Sequence, residues 1–138
     1  MSTQNKNISV DEIMLKLGEF PVVKETTILR EAIEQMDLHN FGVVFVINNS
    51  EELLGIITVG DITRKLLNSQ KPTPALFIDD SIDHANKDFN YIESGSEISL
   101  ALEIFKKMKI WDLPVIKNKK LVGYLNFHTL ADRFLVIN

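Results

Sequence analysis

The sequence contains no cysteine. Disulfides, thiolate zinc sites, iron–sulfur clusters and cysteine nucleophiles are therefore excluded, and the lack fits a reducing, cytoplasmic setting. Long apolar runs are missing too. Val43–Ile47 and Leu53–Ile57 have strand length, far short of the ~18 residues of a membrane span, so no membrane partner is expected. Met1–Asn7 is polar and holds no secretory apolar region. Basic charge is sparse: 15 Lys and Arg stand against 19 Asp and Glu, a net charge of −4. Pairs such as Lys106-Lys107 and Lys119-Lys120 read as solvated surface. Nucleic acid is not expected as a partner, because phosphate backbones require clustered Lys and Arg. The three histidines, His39, His84 and His128, have no i,i+4 partner, so no metal site is expected. No Ser–His–Asp set, glycine-rich phosphate loop or paired-carboxylate constellation can be placed, and an enzyme is not expected.

What is present is ordinary globular material: 138 residues, 45% hydrophobic and 25% charged. This fits one compact domain or two small intertwined repeats. After a polar tail at Ser2–Asn7, Ser9-Val10-Asp11-Glu12 reads as a capping box. A helix carrying Val10, Ile13, Met14 and Leu17 follows, ended by Gly18. Phe20–Val23 reads as a strand. Thr26 and Thr27 offer caps to a helix with Leu29, Ala32, Ile33 and Met36 on one face. Val43–Ile47 and Leu53–Thr58 read as buried strands around an Asn48-Asn49-Ser50 turn, and Gly60-Asp61 opens another helix. A connector follows, with Pro72, Pro74 and a short helix near Ile78–Ala85. The order then recurs: strand Phe89–Ile92, a helix capped by Ser96, strands Leu113–Ile116 and Leu121–Leu125, and helix Leu130–Val136.

The two halves align residue by residue. Thr27 meets Ser96, a shift of 69, and at that shift Leu29 meets Ile98, Ala32 meets Ala101, Met36 meets Phe105 and Val46 meets Val115. Past the strand–strand turn the shift becomes 68, so that Gly55 meets Gly123, Ile62 meets Leu130 and Leu67 meets Leu135. Two copies without a third predict a pseudo-twofold pair around one core, unlike a small solenoid.

The chemistry concentrates in Gly55-Ile56-Ile57-Thr58-Val59-Gly60-Asp61. Gly55 permits close backbone approach. Thr58 offers a hydroxyl, and Asp61 offers two acceptor oxygens suited to paired ribose hydroxyls. The free amides of the following turn favour an anion, and Arg64 adds a fork for phosphate. The same Thr58 and Asp61 equally suit a plain helix cap.

This pattern resembles a tandem pair of cystathionine-β-synthase (CBS) domains, from Val10 to Leu135. Gly55–Asp61 matches that family's Gly, two apolar residues, Thr or Ser, two variable residues and Asp, and Leu113-Pro114-Val115 matches the usual start of its second strand. The resemblance implies an α/β (α+β) fold of two β-α-β-β-α repeats in pseudo-twofold arrangement, each with a short N-terminal helix. It gives residues 8–68 as the first repeat, 69–88 as connector and 89–138 as the second repeat. It further implies a sensor that binds an adenine nucleotide (AMP, ADP or ATP) in the cleft between repeats, and a stacked homodimer. Thr58 and Asp61 would hold the ribose, with Pro21, Val22, Gly42 and Val43 against the base. Ile57, Gly60, Arg64 and His128 complete the candidate set. No bound cofactor beyond such a ligand is implied.

The second repeat departs from the signature, with Asn126 and Thr129 where Thr and Asp belong, so one competent nucleotide site is expected. The phrases Ile13-Met14 to Pro21-Val22 and Phe41-Gly42-Val43 resemble the C-terminal pair of arabinose-5-phosphate isomerases. That likeness implies a sugar nucleotide such as CMP-Kdo as an alternative ligand and a catalytic domain as a regulated partner, the chain being a fragment or a stand-alone relative. A dimerisation module without a ligand is the other alternative.

Overall fold

The computed structural model describes residues 8–137, with side chains as far as Arg133. The polar tail at Ser2–Asn7 and the Leu135 side chain matched to Leu67 lie outside the described residues. The elements are α1 (Val10–Ile13), β1 (Leu15–Lys16), β2 (Val22–Lys24), α2 (Leu29–His39), β3 (Val43–Ile47), β4 (Leu53–Thr58), α3 (Val59–Asn68) and α4 (Thr73–Phe77), a 3-10 turn at Ser81–His84, then β5 (Ile92–Glu93), α5 (Ile98–Met108), β6 (Asp112–Lys117), β7 (Lys120–Asn126) and α6 (Phe127–Ile137). The order β-α-β-β-α occurs twice, giving the mixed α/β class expected from the sequence. Among the described residues no helix is long and apolar enough to cross a membrane.

Contacts divide the chain into two units. One is Gly18–Phe89; the other joins the described residues 8–17 with those from Asn90 to residue 137. In the first, the sheet order is β2-β3-β4, with β2 parallel and β4 antiparallel to β3. Leu29, Ala32 and Met36 of α2 pack with Val23, Val44, Val46 and Ile57. All five residues of β3 are buried, as its unbroken apolar run demands. In the second unit the order is β1-β7-β6-β5, and Ile98, Ala101 and Phe105 of α5 pack with Val10, Ile13, Leu113, Val115 and Leu125. Truncating a wholly buried member such as Ile57 or Leu113 to Ala costs about 2–5 kcal/mol.

The repeat extends to irregular features. α2 ends on Asn40 and α5 on Lys109, both in the left-handed region with φ 59 and φ 54. The ladders shift register between Val46 and Ile47 and again between Val115 and Ile116. Each pair stands 69 residues apart.

The opening helix differs from the sequence reading. Its capping box forms: Glu12 Oε2 accepts from the Ser9 amide at 2.8 Å, and Ser9 Oγ accepts from the Asp11 amide at 3.2 Å. The helix is a single turn, however, and does not run to Gly18. Leu15 and Lys16 pair with Tyr124 and Gly123 instead, and Arg133 Nη1 donates to the carbonyls of Ile13 and Met14 at 2.8 and 3.1 Å. Residues 8–17 therefore belong with the second unit, although sequence order assigns them to the first repeat. The connector joins the first unit in the same manner. It forms α4 and the 3-10 turn in place of one helix near Ile78–Ala85, because Asp80 turns extended and bridges to Ile28. The Leu29 amide donates to Asp79 O and the Ile98 amide to Ile8 O, each at 2.9 Å. Those carbonyls serve helix starts that Thr27 and Ser96 were expected to cap. Neither does so: Ile28 and Glu97 are the N-caps, without side-chain bonds, and Thr27 Oγ1 accepts from the Lys24 amide at 3.2 Å. The first strand of each repeat also starts later than expected, at Val22 and Ile92.

Candidate functional site

Strand β4 ends at Thr58, the extended N-cap of α3 (φ −113, ψ 162). Its Oγ1 accepts from the Asp61 amide at 3.2 Å. Asp61 Oδ2 accepts from both the amide and the hydroxyl of Thr58, each at 2.9 Å. Asp61 Oδ1 accepts from Arg64 Nη2 at 2.6 Å. The cap alternative is thus realised as a capping box with Asp in the reciprocating position. Asp61 nonetheless keeps 25% of its side chain exposed, and Arg64 keeps 67%.

The ladder gathers the other candidates. Val43 stands opposite Thr58, and the Val59 amide donates to Gly42 O at 3.0 Å, so Gly42, Val43, Thr58 and the start of α3 meet at one sheet end. Pro21 and Val22 adjoin the same strand farther along, at Phe45. Val43 and Ile57 are wholly buried, Ile57 in the core cluster; in this state neither side chain is offered to a ligand. Val22 is half-buried, and Gly42 and Gly60 are exposed. Val59 is 54% exposed at the helix start and was not picked out from the sequence. An apolar residue between a cap Thr and a Gly was its signal.

Gly55 does permit a close approach, but to the connector. The Ile56 amide donates to Asn86 O at 3.0 Å and the Asn86 amide donates back at 2.8 Å. Beyond Asp61 and Arg64 an open pocket of about 690 Å³ lies between α3 and the connector, with Lys65, Lys71, Asp79 and His84 in its wall. Lys71 Nζ donates to Asp79 at 2.6 Å and His84 Nε2 lies 2.9 Å from its other oxygen. These hydrogen bonds hold the Asp79 carboxyl below its usual range.

His128 belongs to the other unit. It is exposed, and its ring stacks parallel to Trp111 with centroids 5.7 Å apart. There Asn126 Oδ1 accepts from the His128 and Thr129 amides at 3.1 and 3.3 Å, so it still caps α6. Its Nδ2 donates to Asp112 Oδ1 at 3.2 Å and to the Tyr124 hydroxyl at 3.1 Å, while that hydroxyl donates to Asp112. Burial, then the Asp112 charge, pushes the Tyr124 phenol well above its ordinary value. The sequence reading missed this network. Its trace was a paired departure: Asp112 and Asn126 face each other across the ladder, where the first repeat has Val43 and Thr58. Among the described residues no group of three or more His, Asp or Glu could hold a metal ion.

Comparison with known proteins bears on the family and the fold. A CBS-domain family model matches residues 10–68. The chain is 31% identical over 118 residues to an uncharacterized 17.7 kDa protein of Acidianus ambivalens, covering 85% of this chain and 68% of that one. It is 30% identical over 128 residues to arabinose 5-phosphate isomerase KdsD of Francisella tularensis, covering 89% of this chain but only 36% of the relative's length. The crystal structure of CBSX2 in complex with AMP superposes with a TM-score of 0.81 at 21% identity, covering 94% of this chain and 97% of that one.

Proposed function

Since the chain belongs to the CBS-domain family, we propose that it is a regulatory binding module whose first repeat takes an adenine nucleotide. The Thr58–Asp61 pair carries the reading: a hydroxyl and a partly exposed carboxylate stand together at the open start of α3, where amide dipoles favour an anion. Asp61 would grip the ribose diol, Arg64 the phosphate, and Gly42 with Val22 would border the base. The AMP complex of CBSX2, a neighbour in fold, supports the choice of ligand class. The second repeat lacks the carboxylate, since Thr129 takes the place of Asp61, so one nucleotide per chain is proposed.

Regulation follows if the ligand has different affinity for two states of the protein or of an attached partner. A homodimer is part of the proposal, supported by α3, which buries none of its residues and exposes Leu66 and Leu67 at 41% and 77%. The likeness to the Francisella isomerase favours the context of a sugar-phosphate isomerase, in which a sugar nucleotide such as CMP-Kdo is the alternative ligand for the same single site.

Thermal-shift titration with AMP, ADP, ATP and CMP-Kdo tests this. A true ligand at a hundred times its dissociation constant stabilises the fold by about 2.7 kcal/mol, and Asp61→Ala is expected to abolish that shift. No shift with any of the four, or a shift that survives Asp61→Ala, contradicts the reading.

A further inference from the structure

We propose that Arg64 is a latch on Asp61 that a phosphate releases, so that the site selects phosphorylated nucleosides over bare ones. This rests on the nucleotide reading above and specifies its selectivity.

A carboxylate presents roughly four lone-pair positions. Both on Asp61 Oδ2 are filled, by the amide and by the hydroxyl of Thr58. One on Oδ1 is filled by Arg64 Nη2. A vicinal diol donates two hydrogen bonds and needs two positions, yet one remains. A donor has to leave. The Thr58 amide is fixed by the backbone of the cap, and the Thr58 hydroxyl is held from its other side by the Asp61 amide. Arg64 is the movable one. Its side chain is 67% exposed, and it reaches Asp61 by lying over Gly60, where a Cβ would come within 3.4 Å of Nη1. An exposed ion pair of this kind is weak.

A ligand phosphate competes directly for the guanidinium, which binds phosphate through a matched fork. Moving Arg64 to the phosphate uncovers Oδ1 for the ribose. The phosphate thus contributes twice, through its own ion pair and by freeing the carboxylate. A nucleoside without phosphate must displace Arg64 with nothing to offer it.

Calorimetric titration of the full chain with AMP and adenosine tests the latch in wild type and in Arg64→Gln. Without the latch, adenosine is expected to bind about two- to fivefold more tightly, the strength of an exposed pair. AMP is expected to bind about tenfold or more weakly, having lost a charged hydrogen-bond partner. Arg64→Met, which keeps the apolar stem, is expected to repeat the pattern, and melting without ligand checks that both variants are folded. AMP binding to wild type with adenosine unchanged or weakened in both variants overturns the latch but leaves the nucleotide reading standing. Failure of wild type to bind either compound overturns both.

Discussion

Gly55 lies against Ala85 so closely that a Cβ on the glycine would sit 2.7 Å from the alanine Cβ and 3.1 Å from the carbonyl oxygen of Asn86. Its counterpart Gly123 faces Met14, whose sulfur would be only 2.1 Å from an added Cβ. The shorter distance is the cheaper one to relieve, because a Met side chain can turn aside and connector backbone cannot. Gly55→Ala is expected to cost about 1–3 kcal/mol as overpacking, and Gly123→Ala less. Urea denaturation of both variants checks the order; the reverse order means that the connector yields more easily than Met14.

Tyr124 supplies a second test. Its hydroxyl is the buried donor to Asp112, so Tyr124→Phe is expected to cost about 1–2 kcal/mol at neutral pH. The phenol is raised in the folded state by burial and by Asp112. A raised value contributes stability that is whole below the unfolded value of about 10 and is lost as pH rises toward the folded one. Wild type is therefore expected to lose stability more steeply than Tyr124→Phe above about pH 10. Parallel slopes in alkaline denaturation contradict the buried contact.

Asp11 gives the acid counterpart. Partial burial raises its carboxyl, but bonds from the Ser94 hydroxyl at 2.5 Å, the Gly95 amide at 2.8 Å and Ser9 outweigh it, and the net value is lowered. A depressed folded value contributes stability that is present above the unfolded value of about 3.9 and is lost as pH falls through the folded one. Asp11→Asn is expected to be less stable than wild type at pH 7 and to show a flatter decline below about pH 4. Urea midpoints at neutral and acid pH measure this. Equal midpoints at pH 7 show that Asp11 does not tie α1 to the turn at Ser94-Gly95.

The sequence made legible the elements whose signal is local. Apolar spacing located α2 and α5 and the unbroken run located β3, and in the structure the 69-residue shift holds even for Asn40 and Lys109, the left-handed residues that end equivalent helices. What it hid were partners far along the chain. The opening helix stops early because Leu15 and Lys16 are claimed by Tyr124 and Gly123, and Thr27 is not a cap because Asp79 O already meets the start of α2. At the site, the signature picked out Thr58 and Asp61, and the structure joins them by three hydrogen bonds. Val59 escaped notice because exposure cannot be read from residue type alone, and Asp112 because its partner Asn126 is near only across the β6–β7 ladder.

The Asp61 carboxylate has to be shown to do more than cap α3. Asp61→Asn keeps oxygen and shape, and so leaves the cap largely intact, while removing the charge and one of two acceptor oxygens. Isothermal titration of wild type and Asp61→Asn with AMP, at matched salt, separates the two roles. The expected result is similar melting of the unliganded proteins with AMP binding weakened about tenfold or more. Equal AMP affinity in the two proteins would contradict the account.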